Sequence, residues 1–365
     1  REVSQAVHTA AAMSLAGGAL FTVLGIVFSP VILRWMGTPE DVLVHAEVYV
    51  RIYFAGMIPS LIYNVGAGLL RAVGDSRRPL YFLISACMVN IVLDVLLVVG
   101  LEMGVAGAAI ATIFSQAVSA VLVVLTLLRS RQAYRLEPRK IRFYGNLLDR
   151  IVRIGFPAGL QSVMYSLSNI IIQASINAFG TDIVAAYTAY GKLDGLYWMM
   201  INAFGVSITT FVGQNFGAGK YDRMRRSVRV CLLMTFGATV LMSGFFLLLG
   251  EPLYRLFTDD AQVIALGMQI LRLLVPTYVT YICIEVLAGA VRGTGDSLIP
   301  TLFTLTGVCL LRVAWVMGVA PAYHSLTVVL LSYPITWTIT SVLFVIYYLK
   351  GGWLKRSISK AKLEA

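Results

Sequence analysis

Apolar residues run through this chain in long unbroken blocks rather than in alternation. Five stretches contain no Asp, Glu, Lys or Arg: Thr9 to Leu33, Met103 to Leu128, Ile154 to Thr181, Val230 to Gly250 and Val313 to Leu349. A helix that crosses a bilayer needs about 20 such residues. The last block is long enough for two crossings, with a break near Pro321 and His324. Reading every block this way predicts ten membrane helices, at about 9–34, 46–70, 79–101, 104–128, 151–179, 183–213, 228–250, 262–291, 299–320 and 325–349. The connections are short, apart from the stretch between Arg129 and Arg153.

Composition agrees with an all-α membrane protein. The 365 residues are 58% hydrophobic and 13% charged, against roughly 25% charged in a soluble domain. One soluble core cannot absorb that much apolar chain. A net charge of +11 raises nucleic acid as a partner, but the basic residues cluster between apolar blocks, which is a topology signal. No nucleic-acid partner is expected; the charge suits anionic lipid headgroups. One side of the membrane receives Arg71, Arg77 and Arg78, the run from Arg129 to Arg153, the run from Lys220 to Arg229, Arg292, and the tail cluster Lys350, Lys355, Arg356, Lys360 and Lys362. The other receives Thr38-Pro39-Glu40-Asp41, Gly100-Leu101-Glu102, Thr181-Asp182, Thr258-Asp259-Asp260 and Tyr323-His324. This bias predicts basic loops and both termini in the cytoplasm, in a bacterial inner membrane. Cys87, Cys231, Cys283 and Cys309 lie in apolar runs without a C-x-x-C spacing, and read as small buried side chains.

An internal repeat overlies these blocks. Arg71-Ala72-Val73-Gly74-Asp75-Ser76-Arg77-Arg78-Pro79 and Arg292-Gly293-Thr294-Gly295-Asp296-Ser297-Leu298-Ile299-Pro300 both read R-x-x-G-D-S-x-x-P, 221 positions apart. The same offset relates Arg51 to Arg272 and Arg34 to Arg255. Two copies of one unit are expected, as in transporters whose related halves surround a central site. The second copy would hold six helices and the first four. About 70 residues, worth two helices, are therefore expected ahead of Arg1. In each loop the Gly permits a tight turn and the Asp can cap the helix that begins at the Pro. Arg71 and Arg292 read as loop clamps, and Pro276 and Pro334 as kinks.

Ionisable groups inside a span are costly and are functional candidates by default. Asp94 stands in an apolar run, with Asn90 one helical turn before it on the same face. Such a pair can take a proton, coordinate a small hard cation, or glue two helices together. Glu285, the repeat counterpart of Asn64, lies one predicted helix before Arg312. The two are expected to pair, either structurally or around a cation. Lys192 and Asp194 do not share a face, and can line a cavity or pair with other helices. Tyr187, Tyr190, Tyr197 and Trp198 read as an interfacial aromatic belt or as cation–π partners of a substrate. Gly293-Thr294-Gly295-Asp296 fits the G-x-G-D pattern of intramembrane aspartyl proteases. The Tyr-Asp partner motif occurs only as Tyr221-Asp222 in a basic loop, so an enzyme is not expected.

With these elements placed, the sequence resembles the multidrug and toxic compound extrusion (MATE) transporters, most closely their bacterial DinF-like branch. The resemblance is carried by Arg51 to Asp94, Gly104 to Thr112, Val212 to Lys220 and Glu285 to Pro300. It implies two six-helix lobes and antiport driven by H+ or Na+, without a cofactor, in a monomer. It implies an incomplete N-lobe at 1–128 holding family helices 3–6, a basic linker at 129–150, a C-lobe at 151–350 holding helices 7–12, and a tail at 351–365. Asn90, Asp94 and Thr112 match the family's proton or Na+ site. Cavity candidates are Asn64, Gln161, Tyr165, Lys192, Asp194, Glu285 and Arg312. The helix from about 151 lacks the Glu of sodium-coupled relatives, which shifts coupling toward Asp94 and protons. The implied substrate is an organic cation or amphipathic drug or metabolite. A flippase of lipid-linked sugars from the same superfamily is the alternative, although its cavity would be more cationic.

Overall fold

The computed structural model describes residues 2–35 and 39–364, without the side chains of Asp41 and residues 360–364. Thr38 of the predicted acidic loop and the side chains of Asp41, Lys360 and Lys362 therefore lie outside the described residues. Among the described residues every regular element is helical.

The chain begins with α1 (Glu2–Trp35), α2 (Glu40–Ala55) and α3 (Met57–Ala72). Next come α4 (Arg77–Asp94), a π-helical segment Val95–Gly100, and α5 (Gly104–Arg129). Then follow α6 (Gly145–Asn177), α7 (Thr181–Gly217) and α8 (Tyr221–Arg255). α9 (Ala261–Leu274) and α10 (Ile282–Gly293) are joined by the 3-10 turn Val275–Thr280. A second π segment, Leu305–Leu310, separates α11 (Leu298–Thr304) from α12 (Leu311–Gly318). Last come α13 (Ala320–Tyr323), α14 (Leu326–Leu349) and α15 (Gly352–Glu364).

Eight of these helical stretches are long and apolar enough to cross a membrane, and α2 with α3, bent by 48°, makes up to nine. The protein is a multi-pass membrane protein. Leu241 and Leu248 on α8 are 77% and 83% exposed, as expected of side chains that face acyl chains. Several helices outrun their predicted ends: α1, α6 and α8 continue into charged residues. Hydropathy marks where apolar residues stop, whereas backbone hydrogen bonding continues as long as the next carbonyl is in place. The predicted break after Pro321 is present, with His324 in the left-handed region at φ 45°. Pro276 lies in the first turn of the 3-10 segment, while Pro334 sits inside an unbroken α14.

Contacts divide the chain into Arg1–Ile151 and Val152–Ala365. In the first unit α1, α3 and α5 pack together, with α4 on α5. Val7, Leu70, Val123, Leu127 and Leu136 form its buried core. The basic segment after α5 folds back on α1. His8 Nε2 accepts from the Glu137 N–H at 3.0 Å and Thr9 Oγ1 from the Tyr144 N–H at 3.4 Å.

In the second unit α7 lies against α10. Small residues allow the approach: a Cβ on Gly293 would stand 2.7 Å from the Thr209 carbonyl oxygen. Tyr197, Tyr278, Trp337 and Phe344 anchor the buried core. The two G-D-S loops share a left-handed glycine, Gly74 at φ 92° and Gly295 at φ 88°. Their aspartates differ. Asp75 accepts from the Arg78 N–H at 3.2 Å, capping α4. Asp296 instead accepts from Arg356 of α15 at 2.8 Å.

Candidate functional site

α6 is less apolar than α5 and α7 on either side of it in the chain. Gln161, Tyr165, Asn169 and Gln173 recur every four residues, so they share one face of the helix. That face walls a cavity of about 640 Å³ within the second unit, completed by residues of α7, α10, α12 and α14. The volume falls in the range of small-molecule sites, about 300–1,000 Å³.

Two carboxylates and two guanidiniums line it: Asp194, Glu285, Arg292 and Arg312. Asp194 is held by three donors. The Tyr278 hydroxyl donates to Oδ1 at 2.6 Å, the Tyr190 hydroxyl to Oδ1 at 3.1 Å, and Trp198 Nε1 to Oδ2 at 2.7 Å. Donors of this number fix a buried carboxylate in one rotamer and offset much of its desolvation. Glu285 is less tethered. The Tyr281 hydroxyl reaches Oε2 at 3.5 Å and stands 3.2 Å from the Tyr165 hydroxyl. Glu285 occupies space that only glycine leaves open on α7, since a Cβ on Gly205 would sit 2.1 Å from Oε1.

The expected Glu285–Arg312 pair does not form among the described residues. Arg312 is buried, donates to Thr336 Oγ1 at 3.3 Å, and lies 4.2 Å from the centroid of the Tyr333 ring. The aromatic face provides electron density where a carboxylate was anticipated. The belt reading of the α7 aromatics is also corrected. Tyr190, Tyr197 and Trp198 point inward, with Tyr197 stacked on Tyr278 at 3.9 Å, and Tyr187 meets the Tyr333 hydroxyl at 2.7 Å. The Tyr190 hydroxyl and the Trp198 N–H serve the carboxylate of Asp194, while the Tyr197 hydroxyl donates to the Tyr278 carbonyl at 3.1 Å.

Gln161, Tyr165, Asp194, Glu285 and Arg312 thus meet around one cavity. Lys192 does not: it is exposed, two residues from Asp194 and so on another face of α7. Asn64 belongs to the first unit, where its amide donates to the Ser60 carbonyl at 2.8 Å. Sequence reasoning missed Arg292, Asn169, Gln173 and Asn202. Arg292, expected at the opening of the G-D-S loop, also donates to Gln161 Oε1 at 2.9 Å and lines the cavity. The four-residue spacing on α6 could have revealed Asn169 and Gln173.

In the first unit Asn90 and Asp94 occupy the last turns of α4, directly before the π segment. π segments mark functional positions more often than chance allows. The Asn90 amide nitrogen is buried and finds no hydrogen-bond partner among the described residues. Thr112, on the adjacent α5, donates to its own helix at Ala108 O, 2.9 Å away. α4 packs on α5, but no hydrogen bond joins the three side chains among the described residues.

Comparisons with known proteins agree with this architecture. The "Probable multidrug resistance protein YoeA" of Bacillus subtilis (strain 168) is 27% identical over 356 residues, covering 94% of this chain and 76% of that protein. The "FAD transporter" of Shewanella oneidensis is 26% identical over 255 residues, 67% of this chain and 55% of that one. A solved MOP superfamily transporter from Pyrococcus furiosus superposes with a TM-score of 0.89 at 22% identity, covering 98% of this chain and 80% of that chain. The MatE family model matches residues 1–96 and 157–317, and with most of its length matched, this chain belongs to the MatE family of membrane transporters.

Proposed function

We propose that the protein exports organic cations or other amphipathic small molecules across the cytoplasmic membrane in exchange for protons, with Na+ as the other candidate coupling ion. The observation that carries this reading is the cavity of about 640 Å³, walled by aromatic rings and holding Asp194 and Glu285 inside a membrane-spanning unit. A cation can bind a carboxylate when it is ionised and is released when a proton takes its place. Aromatic walls add cation–π attraction. Asn90, Asp94 and Thr112 in the first unit are the proposed second proton or Na+ site. The basic segments face the cytoplasm in this scheme. The multidrug resistance protein among the relatives supports it.

A second reading has one observation in its favour. Arg292 and Arg312 also line the cavity, and guanidiniums bind phosphate or carboxylate. An anionic amphipath, such as a lipid-linked sugar, would use them, and the relative named for FAD transport points the same way.

The test is efflux of a cationic dye from everted vesicles energised by a proton gradient, with Asp94→Asn, Asp194→Asn and Glu285→Gln in parallel. Proton-driven dye movement that fails in Asp94→Asn places coupling in the first unit. Movement retained in Asp94→Asn but lost in Glu285→Gln or Asp194→Asn places it in the cavity. A folded protein that moves no cation under either a proton or a sodium gradient would overturn the cation reading.

A further inference from the structure

A second concavity lies on the outer flank of α7 and α8, apart from the central cavity. It encloses about 760 Å³. Its walls are apolar, from Phe204 and Phe211 on α7 to Val230 and Met234 on α8, and one end carries Arg223 and Arg226 together with the single acid Asp222. Phe211, Val230 and Met234 are all exposed. Arg223 lies over the Phe211 ring at 5.7 Å. Neither arginine makes an ion pair among the described residues.

The dimensions fit a lipid. From Arg223 to Met234 is eleven residues along α8, a rise of roughly 16 Å. One leaflet of hydrocarbon is about 15 Å deep, half of the bilayer core. The groove is therefore long enough to span one leaflet, with cations at one end for a headgroup and apolar side chains along the rest for an acyl chain. A neighbouring concavity of about 720 Å³ shares Asp222 and Arg223 and adds Lys220, Arg225, Lys350 and Lys355. The positive field at that end is thus broad, which a zwitterionic headgroup would not balance and an anionic one would.

We propose that this groove is a binding site for one phospholipid with a net-negative headgroup. The phosphate sits between Arg223 and Arg226, and one acyl chain lies between Phe211 and Met234.

Native mass spectrometry of the detergent-purified chain tests this, with an equimolar mixture of dioleoyl phosphatidylglycerol and dioleoyl phosphatidylcholine as the probe. One phosphatidylglycerol should be retained over phosphatidylcholine by roughly tenfold or more, given two arginines at the headgroup. Arg223→Gln with Arg226→Gln should bring the two lipids to parity. Arg223→Lys with Arg226→Lys, which keeps both charges, should preserve the preference. Ser207→Phe, which fills the groove without touching a charge, should also lower retention. Equal retention of both lipids, preference surviving in the double glutamine variant, or displacement of phosphatidylglycerol by millimolar inorganic phosphate would each overturn the proposal.

Discussion

At the scale of single residues, the cavity rests on one conflict between size and charge. Glu285 fits because α7 has glycine at position 205. Gly205→Ala would force the Glu285 side chain aside, and a flexible carboxylate can partly yield. Gly293→Ala meets the Thr209 carbonyl oxygen at 2.7 Å, which is backbone and cannot. Overpacking of this kind costs about 1–3 kcal/mol. Gly293→Ala is expected at the upper end of that range and Gly205→Ala near the lower, as read by thermal unfolding in detergent. Adding Glu285→Ala should relieve Gly205→Ala and leave Gly293→Ala unchanged. Asp194 and Glu285 were legible in the sequence because a charge in an apolar run is conspicuous. Their surroundings were not. The Arg292–Gln161 bond joins residues 131 positions apart, and Arg292 looked like a surface anchor because it opens a turn motif. The preference of Arg312 for the Tyr333 ring over Glu285 depends on side-chain direction, which no spacing rule supplies.

At the scale of elements, hydropathy located the helical stretches but not how each is interrupted, and of the ten expected spans eight, or nine with the bent α2–α3 pair, are apolar enough to cross a membrane among the described residues. The bend at Gly56 and the two π segments leave no apolar signature, since the apolar run continues through them. α6 shows the converse: its polar stripe lowers its apolarity because one face walls the cavity rather than lipid. Two short tethers make separate predictions. His8 fastens the segment after α5 to α1 through the Glu137 N–H. His8→Ala should raise hydrogen exchange at residues 134–144 while leaving α3 and α5 protected. α15 is docked by Trp353, which stacks on Tyr348 at 5.2 Å and donates to its carbonyl at 3.1 Å. Trp353→Ala removes a buried aromatic, a loss of about 3–5 kcal/mol where the site cannot collapse. Such a loss should free α15 and open cleavage after Lys355 and Arg356 in limited trypsin digestion, with the membrane core intact.

At the scale of the whole molecule, the internal repeat announced two related units, yet the two copies have diverged in what their G-D-S loops do. Asp75 caps its own helix, whereas Asp296 recruits the C-terminal helix. The described residues that line the cavity likewise come from the second unit, through the polar stripe on α6 and the carboxylates on α7 and α10. Its charges balance in sign: two acids and two guanidiniums, with no pair among them close enough to form an ion pair among the described residues. A cavity of this kind selects substrate charge by which member is removed. Arg312→Met keeps volume and contact with Tyr333 but leaves a net-negative wall. It should favour a cationic dye over an anionic one by roughly tenfold, on the order of 1.4 kcal/mol for one partly screened charge. Asp194→Asn keeps the shape and reverses the sign of the bias. Competition between ethidium and carboxyfluorescein for export, at equal expression of the two variants, reads the outcome. Opposite shifts would show that both substrates enter this cavity. Shifts in the same direction would mean that the substitutions act through folding of the second unit rather than through its field.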